Sequence, residues 1–62
     1  MPATRVTFNT DQYSDERESR KAIAAAMEEL SIVMKAEQYN YVGKFRVPDH
    51  QGNTIHGDID EL

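Results

Sequence analysis

Hydrophobic and polar residues alternate in three short segments of the chain, which predicts three strands. In TRVTFNT, Val6 and Phe8 alternate with polar residues, as expected for a strand with one buried face. The segments YVGKFRV and TIHGDIDEL alternate in the same way, and the PDHQGN turn between them carries Pro48, where the ladder ends, and Gly52, where a positive φ is expected. The residues that share one face of the second and third predicted strands are Tyr41, Gly43, Phe45, Val47, Ile55, Gly57 and Ile59.

Between the first two strands the apolar residues recur at helical spacing. Ser14 is predicted as the N-cap, and the helix extends to about Gln38. Its main apolar stripe is predicted to contain Ile23, Met27, Leu30 and Met34, widened by Ala26 and Val33. A second strip contains Ala22, Ala25, Ile32 and Ala36, and it belongs either to a broad core or to a contact with another molecule.

These elements predict a single α+β domain over residues 1–62, in the order β-α-β-β, with one long amphipathic helix on a three-stranded sheet. The helix from Ser14 would be about 37 Å long, whereas a six-residue strand reaches only about 20 Å. A chain of 62 residues without cysteine has a small core and no disulfide, so association with another subunit is expected. The second apolar strip predicts a homodimer through Ala25, Ile32 and Ala36.

Negative charge is concentrated at the C-terminal end of the sequence. The net charge is -4, and residues 1–48 carry seven acidic and seven basic side chains, so the excess lies in residues 49–62. This charge disfavours direct binding to nucleic acid and favours a protein partner with a basic surface. The carboxylates predicted to bind that partner are Asp49, Asp58, Asp60, Glu61, Glu28 and Glu29; alternatively, they only keep the surface soluble.

The sequence therefore predicts a non-enzymatic interaction protein without cofactor or metal. Its most concrete form is a phage- or mobile-element-type inhibitor that blocks the nucleic-acid-binding surface of a host complex. A structural subunit of a larger assembly is an alternative. No segment is apolar enough for a membrane span or signal peptide, so a soluble cytoplasmic protein is expected.

Other chemistry is less well supported by the pattern. His56, Asp58 and Asp60 share one strand face, but they extend over about 13 Å, which is too far for one metal ion. Tyr41 and Phe45 lie on the face opposite the neighbouring basic residues, which disfavours a single-stranded nucleic-acid platform. A ribbon-helix-helix repressor would require a second helix where the hairpin is predicted.

An enzymatic alternative comes from a resemblance to the 4-oxalocrotonate tautomerase family. The similarity lies in MPATRV, in SDERES at the start of the helix, and in Gly52 and Gly57 of the hairpin. It implies that Pro2, after removal of Met1, acts as a base on a carboxylate substrate held by arginines. The chain departs from the family pattern because residues 9–12 contain no arginine, and Gly43 and Thr54 stand where an arginine and an aromatic residue are expected.

Overall fold

A computed structural model describes residues 2–62, which form three strands and one helix. The elements are β1 (Thr4–Phe8), α1 (Glu16–Ala36), β2 (Gly43–Pro48) and β3 (Thr54–Glu61). β3 lies in the centre of the sheet and is antiparallel to both β1 and β2, giving the strand order β1-β3-β2. The predicted α+β fold, with one helix packed on a three-stranded sheet in the order β-α-β-β, is confirmed.

The inner face of the sheet carries the apolar residues that the alternation predicted. Phe45 and Val47 of β2, and Ile55 and Ile59 of β3, are buried beneath the helix. β1 differs, because Phe8 is only partly buried and Val6 is 45% exposed. The alternation therefore predicts the face of β1 correctly, but this face is incompletely covered.

Gly57, in the middle of β3, leaves space for an aromatic ring of each neighbouring strand. Phe8 of β1 and Phe45 of β2 are both directly opposite Gly57. Their rings meet edge to face, with centroids 5.5 Å apart and planes at 76°. A side chain at position 57 would occupy the space of the Phe45 ring, because a Cβ atom there would lie 2.3 Å from Phe45 Cζ.

The helix begins later than Ser14, which corrects the predicted N-cap. Asp15 is the N-cap, and its Oδ1 accepts a hydrogen bond of 2.8 Å from the Glu18 N–H. Serine and aspartate both suit an N-cap, so residue type does not favour Ser14 over the adjacent Asp15. At the other end α1 stops at Ala36, and the following Gln38 and Tyr39 have φ of 56° and 66°, in the left-handed region.

The buried stripe of α1 is centred on its alanines, whereas the prediction centred it on the larger residues. Ala22 and Ala26 are fully buried, and Leu30 is nearly so. Met27, predicted as part of the main stripe, is 53% exposed. The reason is that small side chains at the contact allow the helix backbone to approach the sheet closely, and the larger apolar residues then lie at the sides of the contact.

The helix lies closer to β2 than to the other two strands. The helix has 21 residues and is about 31 Å long, and the eight residues of β3 extend over about 27 Å. The difference in length between helix and sheet is therefore smaller than the sequence predicted, because the helix is shorter and the central strand is longer. Among residues 2–62, no helix is long and apolar enough to cross a membrane.

Candidate functional site

The carboxylates predicted to form one acidic surface lie on separate parts of the molecule. Glu28 and Glu29 are on α1, which covers the inner face of the sheet, whereas Asp58 and Asp60 point from the outer face of β3. Asp49 is buried in the turn between β2 and β3. The fold does not bring these residues together into a continuous acidic track.

Basic residues accompany the acidic residues on the outer face of the sheet. An Arg5 guanidinium nitrogen lies 3.3 Å from Asp60 Oδ2, in an exposed ion pair between directly opposite residues of β1 and β3. On the other side of β3, Lys44 is opposite Asp58, and β2 adds Arg46. This face therefore presents both signs of charge, and an exposed pair of this kind stabilises a protein only slightly.

Asp49 organises the β2–β3 turn through hydrogen bonds within the chain. The Tyr13 hydroxyl donates to Asp49 Oδ2 at 2.5 Å, and the backbone N–H groups of Gln51 and Asn53 donate to Oδ1 at 2.8 and 2.9 Å. The Tyr13 hydrogen bond is the main reason that the pKa of Asp49 is lowered, and the two N–H bonds add to it. The pKa of Tyr13 is raised, first by its burial and then by Asp49. Asp49 is thus a structural residue of the turn, with both oxygens occupied.

The tip of the same turn is tied to the first part of the helix. His50 Nε2 lies 2.9 Å from Glu18 Oε2, and Lys21 lies 3.5 Å from the other oxygen of that carboxylate. These contacts lower the pKa of Glu18, chiefly through the hydrogen bond with His50 and then through the charge of Lys21. Together with the hydrogen bond between Tyr13 and Asp49, the contact between Glu18 and His50 connects the start of the helix to the β2–β3 turn.

An apolar groove remains open on the opposite side, between α1 and β1. It has a volume of about 500 Å³. The residues that line it are Thr4, Val6, Phe8, Met27, Leu30, Ser31, Met34 and Ile59. All eight are uncharged, and the two most exposed apolar members are Val6 on β1 and Met27 on α1. Sequence reasoning missed this groove because both residues fit the pattern of a covered core.

β1 is also an edge strand, and its outer edge carries unpaired backbone groups. The Asn9 N–H donates to the His56 carbonyl at 2.7 Å, and the Leu62 N–H donates to the Ala3 carbonyl at 2.7 Å. Bonded and non-bonded residues alternate along an antiparallel strand, so the odd-numbered residues of β1 bond to β3. The residues whose N–H and C=O groups point to the open edge are Thr4, Val6 and Phe8.

The other edge strand, β2, is protected against further pairing. The Asp49 N–H donates to the Asn53 carbonyl at 2.7 Å, so by the same alternation the open edge belongs to Lys44, Arg46 and Pro48. Pro48 has no N–H, the Lys44 carbonyl accepts a hydrogen bond from the Tyr41 hydroxyl, and the two cations disfavour an approaching strand. The β1 edge has no proline and no capped carbonyl among its described groups, its one cation, Arg5, is paired with Asp60, and the edge lies beside the apolar groove.

The helix strip predicted to form a homodimer is partly exposed. Ile32 is 62% exposed, Ala36 is exposed and Ala25 is half-buried. This strip lies on the other side of the helix from Met27 and contains one large apolar residue, so it is a smaller apolar surface than the groove.

The residues considered for other chemistry differ in exposure: Pro2 and His56 are exposed, and Asp58 and Asp60 are half-buried. Pro2 lines neither the groove nor two other depressions, of about 380 and 350 Å³. His56 and Asp58 border a shallow depression of about 350 Å³ on the outer face of the sheet. Within residues 2–62, no three His, Asp or Glu side chains are placed to share a metal ion.

No protein family, curated protein or solved structure is significantly similar to this chain.

Proposed function

We propose that this chain is a protein-binding module without a catalytic role, and that it binds its partner through the groove and the open edge of β1. The observation that carries the proposal is the coincidence of these two features. Val6 and Met27 expose apolar surface, and the backbone groups beside Val6 are free to pair with an added strand. A bound segment would gain backbone hydrogen bonds and apolar contacts at one place.

Charge has a limited role in this proposal. The hypothesis of an inhibitor that imitates nucleic acid needs a continuous row of carboxylates. The six predicted residues are divided among the helix, the outer face of β3, the end of β3 at Glu61, and the buried turn that holds Asp49. Because the groove is lined by uncharged residues, we expect its partner to contribute apolar side chains. Changing the ionic strength should then alter the affinity only slightly.

A pair of matched variants of α1 tests the proposal. Met27→Lys places a charge in the groove, whereas Ile32→Lys introduces the same charge at an apolar residue of similar exposure outside it, 62% against 53%. Both positions are on one helix, and lysine is a good helix former. The tagged chain and both variants are used to capture proteins from the natural host, and the captured proteins are quantified by mass spectrometry.

We expect a protein that is retained by the unmodified chain and by Ile32→Lys to be lost with Met27→Lys. Equal retention by both variants would show that the groove is not the binding surface. Circular dichroism of both variants checks that α1 and the sheet remain folded.

A further inference from the structure

We infer that the groove and the β1 edge bind a second copy of this chain, so that two β1 strands pair antiparallel and join two sheets into one of six strands. This inference rests on the proposed function and names the partner. It differs from the homodimer predicted from the sequence, which used Ala25, Ile32 and Ala36 of the helix.

The sequence of β1 is complementary to itself in one register. When Val6 lies opposite Val6 of the second copy, Thr4 lies opposite Phe8, and all three edge residues of each chain form hydrogen-bonded pairs. Their side chains all point to the inner face, so the two grooves become continuous. On the outer face Arg5 lies opposite Thr7, and no like charges meet.

The neighbouring registers are less favourable. A shift of two residues toward the N-terminus places Arg5 directly opposite Arg5 of the second copy, which is a repulsive cross-strand pair. A shift of two residues in the other direction pairs Val6 with Phe8, but Thr4 then lies beyond the end of the partner's strand. All three registers are two-fold symmetric, and the one centred on Val6 pairs the most edge residues without placing like charges opposite each other.

The exposed area of the chain supports an interface of this size. The molecule exposes 4705 Å², whereas a folded monomer of its mass is expected to expose about 4,100 Å². The excess of about 600 Å² is close to the roughly 800 Å² that each partner buries in a standard interface.

The difference between the two edges predicts that assembly stops at the dimer. Pairing of β1 with β1 consumes both unprotected edges, and the new outer edges are the two β2 strands. Pro48, Lys44 and Arg46 protect these strands from further pairing. A closed dimer results, with no continuing fibre.

Sedimentation velocity across a concentration series tests the dimer with two matched variants. Val6→Lys places two ammonium groups opposite each other at the two-fold axis, whereas Val42→Lys makes the same change at an apolar residue of similar exposure, 54% against 45%. We expect the unmodified chain and Val42→Lys to form dimers. The dissociation constant of Val6→Lys should be about tenfold higher or more, since the pair at the centre becomes repulsive.

Amide hydrogen exchange measured by NMR identifies the strand that pairs. The Val6 N–H is open in the monomer and bonded in the proposed dimer, so its protection should rise with protein concentration, whereas the Thr7 N–H is bonded to β3 in both states. This measurement does not depend on any variant being folded.

Three results would overturn the inference. The first is a monomer at millimolar concentration, and the second is a dimer in which Val6 stays unprotected. The third is a dimer that Ile32→Lys disrupts and Val6→Lys does not, which would favour the helix strip.

If the chain is monomeric but Met27→Lys still loses a captured host protein, the inference fails and the proposed function stands. If the dimer forms as described but capture is unaffected, binding of other proteins through the groove is refuted.

Discussion

Replacement of Gly57 by alanine tests how the aromatic residues hold the sheet together. The added Cβ would lie 2.3 Å from Phe45 Cζ and 2.4 Å from the Thr7 carbonyl oxygen. Both distances are far below normal contact. The Phe45 ring is buried against Phe8, and the Thr7 oxygen is part of the backbone beside β3. Neither group can move without disturbing a strand pair or the core.

The expected loss of stability is large for a domain of this size. Overpacking of a filled core costs about 1–3 kcal/mol. Alanine also restricts the unfolded chain, which offsets about 0.4–1 kcal/mol of that cost. A net loss of about 1–2 kcal/mol would lower the melting temperature by roughly 4–16 °C, because each kcal/mol corresponds to about 4–8 °C in a domain of 60–100 residues.

Urea unfolding and thermal melts followed by far-UV circular dichroism measure this loss, since the chain has no tryptophan. Phe45→Leu removes the ring atom nearest to the added Cβ but leaves the Thr7 oxygen in place. Gly57→Ala should therefore lower the melting temperature less in the Phe45→Leu background than in the unmodified chain. A melting temperature for Gly57→Ala within 2 °C of the unmodified chain would contradict the proposed packing around position 57.

Three further substitutions test the helix ends and the turn. Asp15→Ala should lower the free energy of unfolding by about 1 kcal/mol because it removes the N-cap, whereas Ser14→Ala should change it little; equal losses in urea unfolding would contradict this assignment. Gln38→Gly should raise the melting temperature because glycine adopts φ of 56° without strain, and a lower melting temperature would contradict it. The pKa of Asp49 is lower in the folded state, so its contribution to stability is complete above the unfolded value near 4 and is lost as the pH falls through the folded value. Asp49→Asn should therefore lower the free energy of unfolding at pH 7 and make it fall less steeply as the pH is lowered. Asp11→Asn, an exposed control, should do neither. If the free energy of unfolding of Asp49→Asn ran parallel to that of the unmodified chain across the pH range, the role of this carboxylate would be refuted.

The sequence was sufficient to predict the elements of the fold because each has a simple periodic signal. Alternation identified the three strands, and spacing of three and four identified the helix. Pro48 and Gly52 located the turn, and Gly52 has the expected positive φ of 80°. The element order alone does not determine the strand order, so the central position of β3 was not predicted.

The candidate site was harder to predict because it depends on where the helix lies across the sheet. A periodic stripe shows that a helix has an apolar side, but it does not show which residues of that stripe touch the sheet. Met27 and Val6 therefore counted as core residues. The placement of the acidic residues could not be predicted either, because their positions in the sequence give no information about the turn that buries Asp49 or about how the helix and the sheet separate the other carboxylates.

The groove follows from the choice of small residues at the centre of the helix contact. Ala22 and Ala26 allow α1 to approach β2 closely, and the contact between His50 and Glu18 holds its first turns on that side. A single helix in this position covers β2 and β3 but leaves the inner face of β1 partly open. The same strand has no proline, and its one charged residue, Arg5, is paired with Asp60, whereas the edge of β2 carries Pro48 and two cations. One placement of the helix thus leaves apolar side chains and free backbone groups exposed on the same strand, and a partner that pairs with β1 satisfies both.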